Sequence, residues 1–93
     1  MAEVRFLGPT RKAAGMATFG IDAGTVEELL EKLRRIMGPA FQESVFQGEE
    51  IQQDVEVTVN GRNISALDGP QTALTPFDQV ALSINGDRGF PGP

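Results

Sequence analysis

Between Thr25 and Pro39 the chain reads TVEELLEKLRRIMGP, and no other stretch restricts the fold as much. Val26, Leu29, Leu30, Leu33, Ile36 and Met37 recur at helical spacing and make one apolar stripe, which predicts a helix over Val26–Met37. Thr25 is placed to cap it, and Glu28 three residues on completes a capping box. Glu27, Glu28 and Glu31 lie toward the N-terminal half, and Lys32, Arg34 and Arg35 toward the C-terminal end, an order that suits the helix dipole. Glu28–Lys32 and Glu31–Arg35 add two pairs one turn apart. Gly38 and Pro39 then stop the helix. A lone helix with one apolar face needs a second layer to bury it.

The rest of the chain supplies strands for that layer. In AEVRFLG, Val4 and Phe6 fall on one face and Arg5 on the other. ATFGID alternates Ala17, Phe19 and Ile21 with Thr18, Gly20 and Asp22, so the two segments read as a hairpin around a long connection containing Pro9 and Gly15. After the helix, Phe41, Val45 and Phe46 suggest a short helical turn beneath the sheet. Glu43, Glu49, Glu50, Asp54 and Glu56 make that part of the surface acidic, as solvation or as a field that steers a basic partner. Val55, Val57 and Val59 form another alternating strand. Asn60–Gly61 marks a tight hairpin, because both residues accept positive φ, and a short return strand should follow around Arg62–Ile64. QVALSI closes the regular structure with Val80, Leu82 and Ile84 on one face.

The order strand, strand, helix, strand, short strand, strand predicts an α+β fold of the β-grasp, ubiquitin-like type. It has a mixed sheet of four to five strands, one main helix on one face, and the first and last strands parallel at the centre. Residues 1–84 are read as this domain and residues 85–93 as a flexible C-terminal tail, since Gly86, Gly89 and Gly92 are costly to order and Pro91 and Pro93 cannot donate to a sheet.

Absent residue types narrow the function. The 93 residues contain no histidine, cysteine, tyrosine or tryptophan, which removes the usual general base, thiol nucleophile and nitrogen or sulfur metal ligands. No catalytic residue, metal or cofactor is therefore expected, and the chain is a poor candidate for a stand-alone enzyme. A net charge of −5 argues against a nucleic-acid surface. No apolar run reaches the length of a membrane span and no signal peptide is evident, so a cytoplasmic location is expected.

The chain resembles the small sulfur carriers of the MoaD/ThiS group, most closely the small subunit of molybdopterin synthase. VRFLGPTRKAAG is similar to that family's opening strand and its connection ending in glycine, TVEELLEKL to its helix start, and VTVNG to its hairpin. The family's ending, L-x-D-G-D-x-V-A-x-x-P-P-x-x-G-G, lies without a gap along Leu74 to Gly89, and the likeness spans residues 3–89. The resemblance implies that a partner enzyme adenylates the terminal glycine carboxylate, sulfur replaces AMP, and the thiocarboxylate delivers sulfur inside a synthase with a large subunit.

Departures from the pattern bear on that chemistry. Arg88 stands where the first terminal glycine is expected, Ile84 and Asn85 replace the paired prolines, and Pro76–Phe77 replaces the Asp-Gly turn. Phe90–Pro93 continues past Gly89, so the chain as written does not offer a glycine carboxylate. Two readings follow. The first is a non-catalytic binding module or subunit associated with a pterin-cofactor (molybdenum or tungsten) enzyme or pathway. The second is a carrier precursor, processed after Gly89 to give the thiocarboxylate and partnered by an activating enzyme and a large synthase subunit. Arg88, Phe90, Leu7 and Phe77 are the tail and partner-contact candidates; Phe77 is read either as a partner anchor or as a cap on the core edge.

Overall fold

The computed structural model describes residues 1–48 and 50–84. Its first strand, β1 (Ala2–Phe6), buries Ala2, Val4 and Phe6 and exposes Glu3 and Arg5, the alternation its sequence carries. Strand β2 (Thr18–Ile21) pairs antiparallel with β1, Val4 opposite Phe19 and Arg5 opposite Thr18. The connection between them is not a plain loop. It holds a six-residue helix, α1 (Pro9–Ala14), with proline in its first turn and Gly15 in the left-handed conformation at its end. Pro at a helix start and Gly just past its end are the favoured terminal residues.

Helix α2 (Val26–Ile36) crosses the sheet on one face, with Val26, Leu29, Leu30 and Leu33 buried and Met37 buried just beyond it. The Thr25 hydroxyl accepts from the Glu28 N–H at 3.2 Å, and the Glu28 carboxylate accepts from the Gly24 N–H at 2.8 Å. Both expected side-chain pairs form, Lys32–Glu28 at 3.9 Å and Arg35–Glu31 at 3.0 Å. Ile36 departs from expectation: it is 57% exposed, because at 100° per residue it falls at the edge of the stripe, while Leu33 before it and Met37 after it are buried.

Helix α3 (Pro39–Val45) carries Phe41 and Val45 under the sheet, and Phe41 meets Phe6 edge-on at 5.5 Å and Phe46 at 6.1 Å. A two-residue hairpin that the sequence reading lacked follows, β3 (Phe46–Gln47) with β4 (Glu50–Ile51). Strand β5 (Val55–Val59) turns through Asn60–Gly61, with φ of 53° and 85°, into β6 (Arg62–Asn63). Ile64, expected in that return strand, instead opens a 3-10 turn (Ile64–Ala66), followed by a second at Gly69–Gln71. Strand β7 (Gln79–Ile84) completes a five-stranded sheet in the order β2-β1-β7-β5-β6. It runs parallel to β1, Val4 opposite Val80, and antiparallel to β5, Val57 opposite Leu82. This is the mixed sheet of a ubiquitin-like β-grasp, with the core between its inner face and α2.

Candidate functional site

Strand β7 leads directly to residues 85–93, so the geometry at its far end fixes where that segment begins. Both edges of β7 are hydrogen-bonded, with Ile84 opposite Val55 on one side and Leu82 opposite Phe6 on the other. A further clamp comes from α1. Thr10 is fully buried; its hydroxyl lies 2.7 Å from the Leu82 carbonyl oxygen and 2.6 Å from that of Leu7, and accepts from the Leu7 N–H at 3.0 Å. The Leu7 N–H also donates to the Leu82 carbonyl at 2.9 Å. One hydroxyl thus ties the end of β1, the start of α1 and β7 at Leu82 into a single knot. A buried hydroxyl needs such partners, since desolvating it unpaired is costly.

Beside this knot Leu7 is 46% exposed, continuing the outward alternation of Glu3 and Arg5. Extending the β1–β2 register places it opposite Met16, itself 39% exposed. Arg11 and Lys12 on α1 stand next to Met16 around a shallow depression. The end of the sheet from which residues 85–93 depart therefore offers two apolar side chains with cationic neighbours.

Phe77 lies at the other end of β7 and does not cap the core: it is 92% exposed. Its turn is nonetheless tightly held. The Asp78 carboxylate accepts from the Thr75 N–H at 2.8 Å and from the Asn60 side-chain amide at 2.9 Å, while the Asp78 N–H donates to the Thr75 carbonyl at 3.1 Å. Those two donors, Thr75 first, hold the Asp78 carboxyl below its ordinary pKa. Hence Leu7 and Phe77, two contact candidates, sit at opposite ends of the sheet. The other two, Arg88 and Phe90, and the adenylation candidate Gly89 lie outside the described residues.

Met16 and Thr10 escaped the sequence reading. Met16 is visible only once the β1–β2 register is known, whereas Thr10 follows a Gly-Pro pair that signals a helix start. Among the described residues, no group of three or more His, Cys, Asp or Glu side chains is placed to hold a metal ion, and no helix is long and apolar enough to cross a membrane.

No protein-family model matches the sequence, and no curated protein matches it. Solved structures do. The small archaeal modifier protein 1 of Methanosarcina acetivorans is 21% identical, with 95% of each chain covered and a TM-score of 0.81. The structure of the BexX/CysO complex of Amycolatopsis orientalis contains a chain 14% identical, covering 96% of this chain and 100% of that one, with a TM-score of 0.78. The Haloferax volcanii protein HVO 2177 is 27% identical over 95% of this chain and 85% of that chain, with a TM-score of 0.74. The shared feature is the ubiquitin-like fold over nearly the whole length, in keeping with the MoaD/ThiS resemblance.

Proposed function

We propose that this chain is a non-catalytic, ubiquitin-like binding subunit, presenting the end of its sheet and residues 85–93 to a protein partner. The observation that carries this reading is the Thr10 knot: it fixes β7 at Leu82, two residues before the strand ends, beside exposed Leu7 and Met16, where nothing in the fold itself requires an apolar surface. A rigid root lets a partner engage the following segment at a defined position without first ordering the domain. The pterin-cofactor enzymes implied by the sequence resemblance are the partner class to test first. A tagged full-length chain, recovered from its native cell, should bring down a partner that Leu7→Glu fails to retain. Equal recovery with both chains would overturn the reading. Phe77→Ala tests the opposite pole in the same assay.

A second reading is favoured by the gapless match of Leu74–Gly89 to the carrier ending. In it, removal of Phe90–Pro93 frees Gly89 for adenylation and thiocarboxylate formation, and Arg88 slows the reaction by replacing the first of two glycines. A chain ending at Gly89 should then support pyrophosphate exchange with ATP and a MoaD/ThiS-type activating enzyme from the same cell, and Arg88→Gly should improve it. No exchange from either chain excludes the carrier. The intact mass of the native protein separates the readings independently, because it reports cleavage and the substitution of sulfur for oxygen.

A further inference from the structure

A second surface lies on the other flank of the sheet, away from both Leu7 and Phe77. The N-terminal half of α2, the β3–β4 hairpin and the two 3-10 turns enclose an open cleft of about 480 Å³. Its floor is apolar: Leu30, Phe46 and Ile64 are nearly buried, Ile51 is half-buried, and Pro70 closes one side. Glu27, Glu31 and Glu50 stand on its walls.

The three carboxylates are not equivalent. Glu31 is held by Arg34 at 2.7 Å and Arg35 at 3.0 Å, and these arginines keep its pKa below the ordinary value. Glu27 accepts from the neutral amide of Gln71 at 2.8 Å, a bond that leaves its charge uncompensated. Glu50 forms no ion pair among the described residues and is exposed. The surrounding sequence sharpens the imbalance. From residue 36 to residue 61 there are five acidic residues, Glu43, Glu49, Glu50, Asp54 and Glu56, and no lysine, arginine or histidine. That stretch alone matches the net charge of −5 carried by the whole chain. An apolar floor between uncompensated carboxylates complements a group that is apolar at its tip and cationic beside it.

We infer that this cleft receives a basic amphipathic segment of a protein partner, with one leucine-sized side chain on the Leu30–Ile51–Ile64 floor and lysine or arginine at Glu27 and Glu50. The floor supplies the burial, and the carboxylates supply register and choice of partner, because an acidic segment with the same apolar spacing meets repulsion at both walls. This surface is separate from the end of the sheet assigned to the binding function above, and the two can fail independently.

The test uses the full-length ¹⁵N-labelled chain and three synthetic probes: an amphipathic leucine–lysine peptide, its leucine–glutamate counterpart, and octalysine. The leucine–lysine peptide should give saturable shifts centred on the amides of Leu30, Phe46, Ile51 and Ile64, while the other two should not. The Glu27→Gln/Glu50→Gln double variant should weaken binding roughly fivefold, the scale of two partly exposed ion pairs, and Glu43→Gln/Glu56→Gln should not. Ile51→Lys should abolish binding; if that variant does not fold, the paired Glu→Gln variants decide. The inference is overturned if octalysine binds equally well, if the two double variants weaken binding alike, or if the shifts spread across the acidic surface. It is also overturned if Phe90→Ala alone shifts the same cleft amides, because the occupant would then be this chain's own C-terminal segment.

Discussion

Asn60 and Asp78, eighteen residues apart, are joined by a side-chain hydrogen bond of 2.9 Å that fastens the β5–β6 turn to the start of β7. Asn60 makes two further bonds across the same junction: its side-chain oxygen accepts from the Gln79 N–H at 3.0 Å, and its own N–H donates to the Gln79 carbonyl at 2.8 Å. It does so at φ 53°, a conformation asparagine tolerates better than most residues. Asn60→Gly keeps that backbone geometry accessible while deleting the two side-chain bonds. We expect a loss of about 1–2 kcal/mol in urea unfolding, at the usual net worth of such bonds. An unchanged midpoint would show that the junction does not depend on them.

The Asp78 carboxyl gives the same junction a pH dependence. Its pKa is depressed below 3.8, so the unfolded chain takes up the proton before the folded one does. The stabilisation is therefore present above the ordinary carboxylate value and disappears as pH falls through the depressed folded value. The difference in urea midpoint between the parent chain and Asp78→Asn should be clear near pH 6 and close by about pH 2. A difference that stays constant over that range would contradict the assignment.

Leu33 and Ile36 lie three residues apart on α2, one fully buried and the other mostly exposed. Leu33→Ala should cost about 2–5 kcal/mol through the cavity it leaves. Ile36→Ala should change stability by less than about 0.5 kcal/mol, as an exposed substitution does. Thermal melts in which the two variants behave alike would reject the packing described for the last turn.

Thr10→Val keeps the side-chain volume but removes the hydroxyl between Leu7 and Leu82. The Leu7 N–H and the Leu82 carbonyl keep their bond to each other, and the Leu7 carbonyl keeps the Thr10 N–H, so the expected cost is about 0.5–1.5 kcal/mol, the net worth of a buried hydrogen bond, with Thr10→Ser recovering most of it. Amide exchange should also quicken at Leu7. If Thr10→Val is as stable as the parent, the knot contributes nothing to anchoring β7.

Where the sequence predicted structure well, one pattern pointed to one conformation. Val26 to Leu33 carried the helix, Val55, Val57 and Val59 carried a strand, and Asn60–Gly61 carried the turn between strands. The failures have local causes. Helix α1 has no apolar stripe to reveal it, only the Gly-Pro and terminal glycine that flank Thr10 to Ala14. The β3–β4 pair has two residues per strand, too few for any alternation to register. Ile36 obeys the helical period but falls at the edge of the stripe, where tertiary packing rather than periodicity decides burial. Of the contact candidates, Leu7 and Phe77 are solvent-facing, and their separation could be known only from the sheet order. Arg88, Gly89 and Phe90 belong to the segment beyond the described fold.

The parallel pairing of β1 with β7 has a mechanical consequence. Glu3 lies opposite Gln79 and Phe6 opposite Leu82, so the chain enters at one end of this strand pair and leaves at the other. Tension applied between Ala2 and Ile84 would load the hydrogen bonds between the strands in shear, so that they share the force instead of opening one after another. The Leu7–Leu82 and Glu3–Asp78 backbone bonds extend that shared load to both ends of the pair. A partner pulling on the segment after Ile84, with the chain held at Ala2, would thus load this strand pair in shear rather than peel it apart.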